Sequence, residues 1–402
     1  MRARRAVAVV LIAVVAVLIN ACPTKCAPQE MMDKCGHSLK RPSSFLKRHF
    51  DLPFLKKFFK HLVPFTSSTR VNMHFFLYKR DFPECGREIR TNDDETLEMS
   101  EFDSMHPTRI IIHGWMSQSK GSFNRAVKNA YLSLVRSATK SNVTIDNETI
   151  TLMEEDRLEA SPADYNVIVV DWSVISSNVN YFGVVDLVED LGFLLAEFVQ
   201  YLHRRAMMQF DDVYLIGHSM GAQIAGSAGK QIQPFKFNTI YALDPAGPKF
   251  RDLSDEFRVD PSDATYVESM HTSNTLGFKE PVGHASFYPN YGKDQKKCYI
   301  YGCSHSRAHD YFAESITSKL GFWGTLCQRK TDDVWILSDS GAEFRMGGEP
   351  STPKRGTFYV KTSNSPPYAL GRKSLQLEKL SFEFESASES PDLRAVEIET
   401  VK

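Results

Sequence analysis

The chain has 402 residues, and 48 Lys and Arg stand against 49 Asp and Glu for a formal net charge of -1. That length suits one large globular domain with appendages, or two small domains. The near balance of charge gives no basis for a polycationic surface that would hold nucleic acid, and no nucleic-acid partner is expected.

The N-terminus carries Arg2, Arg4 and Arg5, then a continuous apolar run from Ala6 to Ile19, then Asn20 and Ala21. This is the layout of a secretory signal over residues 1–21, and the run is too short to cross a bilayer comfortably. The expected mature protein is soluble and extracellular. Its seven cysteines (22, 26, 35, 85, 298, 303 and 327) are then expected to form disulfides, with an odd thiol left over. Residues 22–69 interleave Phe and Leu with Lys and Arg, most clearly in "SFLKRHFDLPFLKKFFKHLVPF". The pattern fits a basic amphipathic helix on an anionic lipid surface, and equally a pro-segment or a helix packed on the core.

From residue 70 to 372 short apolar runs alternate with helical stretches. The runs are "RIIIHGW" (109–115), "YNVIVVDW" (165–172), "VYLIG" (213–217) and "TIYALD" (239–244), each rich in β-branched residues. Their uniform apolarity predicts parallel strands buried on both faces. Between the first two lie sequons at Asn142 and Asn147, read as a glycosylated surface loop. The clearest helix is Val184 to Arg205, with apolar residues every three or four. Alternating strands and helices define an α/β fold with a mostly parallel sheet flanked by helices. From Lys373 the chain turns Ser- and Glu-rich and reads as a disordered tail.

"GHSMG" (217–221) sits between a strand and a small-residue helix, so Gly217, Ser219 and Gly221 fit a nucleophile elbow, a turn too sharp for Cβ atoms two residues either side of the serine. Such a serine needs a base and an orienting acid in the order Ser, Asp or Glu, His. Asp244 ends the next strand and can project from the sheet edge. Downstream, His305 and His309 are rival bases, in "GCSHSRAHDYF" with a helix expected near Ala308, and position alone does not separate them. Backbone donors for an oxyanion are expected from Met220, after the nucleophile, and from the His113-Gly114-Trp115 turn.

Taken together, "IIIHGW", "NVIVVDW", "GHSMGAQIAG", "ALDPAGP", "PVGHASFYPN", "CSHSRA" and "MGGEPSTPKRGTFYV" resemble the pancreatic lipase family, in particular its arthropod neutral lipase and phospholipase A1-like members, from Phe75 to Arg372. The resemblance implies an α/β-hydrolase fold, Ser219 as nucleophile, Asp244 as acid, His305 rather than His309 as base, and an oxyanion hole from the Trp115 and Met220 amides. It also implies a structural calcium loop in "DEFRVDPSD", with Asp255, the Arg258 carbonyl, Asp260 and Asp263 as oxygen ligands. No cofactor is implied for catalysis. A disulfide between Cys298 and Cys303 would close the lid, and here it encloses only "YIYG", as in the phospholipase members. Too few residues follow Arg372 for the family's lipid-binding β-sandwich. The substrate expected is a glycerolipid at a membrane or lipid surface, a phospholipid cut at sn-1 before a triglyceride. The alternative is a silent lipid-binding or yolk-type protein, although yolk relatives lack the serine that this chain keeps.

Overall fold

The computed structural model describes residues 72–134, 164–330, 335–338 and 340–372, together with the backbone of Asn142–Ile145 and Glu148–Thr151. The signal segment, the basic Phe-rich segment, the polar tail and Asn147 lie outside the described residues.

Fourteen strands are described: β1 (His74–Lys79), β2 (Phe82–Ile89), β3 (Thr108–Ile112), β4 (Asn142–Ile145), β5 (Glu148–Thr151), β6 (Asn166–Asp171), β7 (Val213–His218), β8 (Phe237–Leu243), β9 (Ala264–Met270), β10 (Ala285–Pro289), β11 (Phe322–Arg329), β12 (Trp335–Leu337), β13 (Glu343–Met346) and β14 (Gly356–Val360). All but β4 and β5 form one sheet, in the order β12-β11-β14-β10-β9-β8-β7-β3-β6-β1-β2 with β13 also on β11. The strands from β6 to β14 along this path are parallel, whereas β1 and β11 pair antiparallel with their neighbours. β4 and β5 pair only with each other, so Asn142 opens a strand where a loop was expected. The β-branched content of "NVTI" and "ETIT" accounts for this pairing.

The helices are α1 (Asp94–Ser100), α2 (Ser122–Leu132), α3 (Ser173–Ser176), α4 (Tyr181–Val185), α5 (Val188–Ala206), α6 (Met220–Gln231) and α7 (Cys303–Thr317). Alternation within β3 shows how they cover the sheet. Ile110 and Ile112 enter one core with Leu191, Leu195 and Phe198 of α5 and Ile224 of α6. Ile111 enters the other with Phe123 and Val127 of α2 and Tyr311 and Phe312 of α7. Both faces are therefore buried, which is why these strands read as unbroken apolar runs. Each such Ile or Val contributes about 1.5–3 kcal/mol.

Two helix boundaries differ from the sequence reading. The stretch from Val184 to Arg205 is divided, because the Asn180 side chain accepts from the Gly183 amide and starts α4 as a separate turn at Tyr181. α7 begins at Cys303 rather than near Ala308, with Gly302 in the left-handed region (φ 82°) ahead of it. His305 thus lies in a helix's first turn and not in a loop. β3 is flanked by β6 on one side and β7 on the other, so the chain leaves β3 in opposite directions. The crevice outside the C-terminal ends of strands at such a switch point is where ligands of open α/β sheets bind.

Candidate active site

At the C-terminal end of β7 the chain turns abruptly into α6. Ser219 makes that turn with φ 56° and ψ -121°, a conformation that L-residues avoid. Its amide donates to Leu243 O at 3.0 Å, and its carbonyl accepts from the Ala246 and Ala222 amides, so β8, the turn after it and α6 hold the strained residue. The glycines are explained sterically. A Cβ on Gly217 would meet Gly221 O and the Ala222 backbone, and one on Gly221 would meet the Ile112 and His113 carbonyls. β3 and α6 therefore approach each other backbone to backbone, and the serine remains partly exposed above them.

Asp244 follows β8, also with positive φ (39°), and is fully buried. Its Oδ2 accepts from His305 Nδ1 at 2.5 Å, and its Oδ1 accepts from the Thr272 and Ser273 amides at 2.7 and 3.1 Å. Burial pushes the Asp244 carboxyl above the usual range, against the hydrogen bonds from His305 and from the two amides. Facing a carboxylate, His305 Nδ1 must carry the proton, which leaves Nε2 as the acceptor. Among the described residues no hydrogen bond joins His305 Nε2 to Ser219 Oγ. That link often tightens only when substrate binds.

The other downstream histidines do not reach Asp244. His309 is buried between the Phe123 ring, tilted against it, and the His218 ring, edge-on to it, and is pushed down to about 3 by burial and by His305. His271 donates from Nδ1 to Phe278 O, pairs its Nε2 with Ser269 Oγ and is pushed down to about 4 by burial. His284 Nδ1 accepts from the Val267 amide. Among the described histidines, only His305 meets Asp244.

His218 belongs to the quoted motif, yet sequence reading gave it no role. Its Nε2 lies 3.1 Å from His305 O, an acceptor, so Nε2 carries the proton. Burial, then His309 and His305, push it well below the usual histidine range, so the ring is neutral and ties the elbow to the first turn of α7.

After β3 the chain passes through His113, Gly114 and Trp115. Asp171 at the end of β6 fixes this crossing: it accepts from Ser119 Oγ at 2.5 Å and from the Ser173 amide at 2.9 Å, and its carboxyl is held well below the usual range by His113, Ser119 and Ser173 although burial opposes this. Trp115 Nε1 donates to Asn178 O at 2.7 Å, and its ring meets the Tyr181 edge. Among the described residues no backbone carbonyl accepts from the Trp115 or the Met220 amide. Met220 opens α6, where the helix dipole adds to the pull on negative charge.

Cys298 and Cys303 form a disulfide with Cα atoms 5.3 Å apart, and Tyr299 and Ile300 between them are 90 % and 62 % exposed. Cys327 is buried with a free thiol, pushed up to about 12 by burial. The carboxylates expected to bind calcium are instead paired with cationic side chains. Asp255 pairs with the Arg258 guanidinium, while Asp260 and Asp263 hold Lys230. Among the described residues no group of three or more His, Cys, Asp or Glu could hold a metal ion, and no helix is long and apolar enough to cross a membrane.

A serine on a strand-to-helix elbow, with a buried Asp–His pair beside it at the sheet's switch point, defines an α/β-hydrolase. The family model described as Lipase matches residues 55–333. "Probable phospholipase A1 magnifin" of Vespa magnifica is 33% identical over 321 residues, covering 76% of this chain and 84% of its own length. "Phospholipase A1" of Vespa velutina is also 33% identical over 321 residues, at 76% and 93% coverage. "Pancreatic lipase-related protein 3" of Homo sapiens is 29% identical over 365 residues, at 81% and 71%. The chain belongs to the pancreatic lipase family, and it is a carboxylester hydrolase.

Proposed function

We propose that the protein is secreted and releases the sn-1 fatty acid of phospholipids, with Ser219, His305 and Asp244 as its catalytic residues. His305 Nε2 takes the Ser219 Oγ proton as Oγ attacks the ester carbonyl carbon. The Trp115 and Met220 amides receive the oxygen that becomes negative. His305 then gives its proton to the leaving lysophospholipid alcohol, and a water activated by the same nitrogen releases the fatty acid. Asp244, held through its other oxygen by two amides, keeps the proton on Nδ1 throughout. This chemistry needs no cofactor.

The reading is carried by the 2.5 Å His305 Nδ1–Asp244 Oδ2 contact beside the left-handed Ser219. Phospholipid, before triglyceride, is supported by the four residues inside the Cys298–Cys303 loop, too few to cover the partly exposed serine. The test is fatty-acid and lysolipid release from phosphatidylcholine vesicles and from triolein, with Ser219→Ala alongside. Lysophospholipid from the wild type alone is expected. Faster hydrolysis of triolein would overturn the substrate, and full activity in Ser219→Ala would overturn the site.

A further inference from the structure

The resemblance assigns four oxygen donors around Asp255–Asp263 to calcium, but the three carboxylates among them are already paired with cationic side chains here. Lys230, in the last turn of α6, places Nζ between two carboxylates: 2.5 Å from Asp260 Oδ2 and against Asp263 Oδ1. The remaining oxygens accept from the backbone. Asp260 Oδ1 takes the Ser262 amide at 2.7 Å and Asp263 Oδ2 takes the Asp260 amide at 2.9 Å. Asp255, the third acid, is on a separate turn, largely exposed, with Arg258 as its partner. A calcium ion needs six to eight oxygens within about 2.3–2.6 Å. Its place between Asp260 and Asp263 holds an ammonium instead, and two cations at that separation would repel strongly.

We propose that Lys230 replaces a metal ion in this chain, as a covalently tethered cation that fastens the 255–263 loop to the helix carrying the nucleophile. The rest of the contact is built for a close, permanent seat. Gln223, on the same helix, accepts from the Val259 amide at 2.8 Å and donates to Ala246 O at 2.9 Å, spanning the loop and the turn after Asp244. A Cβ on Gly229 would strike Asp263 O, so α6 lies directly on the loop backbone. Asp263 is fully buried, so removing the ammonium would leave its charge without a partner. The family's dissociable ion thereby becomes part of the polypeptide, and the fold no longer depends on ambient calcium.

The readout is thermal unfolding of the full chain, not hydrolysis, so the result is independent of the proposed function. The wild-type Tm is expected to be the same in EDTA and in millimolar calcium, and calorimetric titration with calcium is expected to give no saturable heat. Lys230→Met should lower Tm by about 10 °C. A wild-type Tm that falls in EDTA and returns with calcium would overturn the proposal, as would a Lys230→Met protein as stable as the wild type. Should that variant not accumulate, the chelator and titration measurements on wild type still decide.

Discussion

The sheet carries a buried acid–base pair at each end of its parallel strands, and the two are built to opposite ends. At the start of β3, Arg109 meets Glu349 through two bonds, Nε to Oε2 at 3.1 Å and Nη2 to Oε1 at 2.6 Å. Its Nη1 donates to the Thr108 and Asp212 carbonyls, and its face lies 3.7 Å from the Tyr214 ring centroid. Four of the five guanidinium N–H donors are thus engaged. At the far end, Asp244 is engaged through both oxygens but His305 keeps one nitrogen unspent, next to a serine held in an unfavourable conformation. A closed pair holds the sheet together; an open one, with strain beside it, can do chemistry.

Substitutions should separate these roles. The largest effect belongs to Ser219→Ala, which should lower kcat by about 10⁶-fold with Tm unchanged, while Asp244→Asn should leave more activity, a loss of about 10⁴-fold, measured on vesicles at saturating lipid. Equal losses in the two variants would place Asp244 in the reaction rather than behind His305. Glu349→Gln should do the reverse: stranding the Arg109 charge costs about 3–5 kcal/mol, read as a lower urea midpoint, with kcat per folded molecule unchanged. A loss of kcat there would couple the two ends.

A smaller effect comes from acid. Burial pushes the His271 ring down to about 4 in the fold, below the ordinary histidine value of 6.5. Only the unfolded chain takes up the proton in between, so this stability is present above about pH 6.5 and falls as pH drops towards 4, by about 3 kcal/mol when complete. Denaturant titrations of wild type and His271→Asn across that window should differ in slope; parallel curves would place the acid sensitivity elsewhere. Smallest is the rim. Removing the exposed apolar surface in Tyr299→Ser/Ile300→Ser should weaken vesicle binding by about tenfold and leave hydrolysis of a soluble short-chain ester untouched. Equal losses on both substrates would make the loop part of the chemistry instead.

What could be read from the sequence follows how local each signal is. The elbow, the runs that became β3, β6, β7 and β8, and the acid at the end of β8 are written in contiguous residues with a fixed period or spacing. His305 and His309 stood apart only by resemblance, because four residues on one helix put either ring near the site; the Asp244 contact separates them geometrically. Arg109 and Glu349 are 240 residues apart, and Lys230 stands 30 residues before Asp260, so no local pattern announces either pairing. The calcium expectation shows the limit most clearly. The acids are at the positions the resemblance requires, yet which cation they hold is decided by a lysine on another element.

The amides of Thr272 and Ser273 that hold Asp244 have a consequence for how this protein tolerates change. The donating atoms belong to the peptide chain itself, so the grip on the acid does not depend on which side chain stands at either position, while burial restricts both to small ones. Proline is the exception, since it alone lacks the hydrogen. Among substitutions small enough for these buried positions, the hold on the acid would thus survive all but proline, whose failure at each is the trace of what they do.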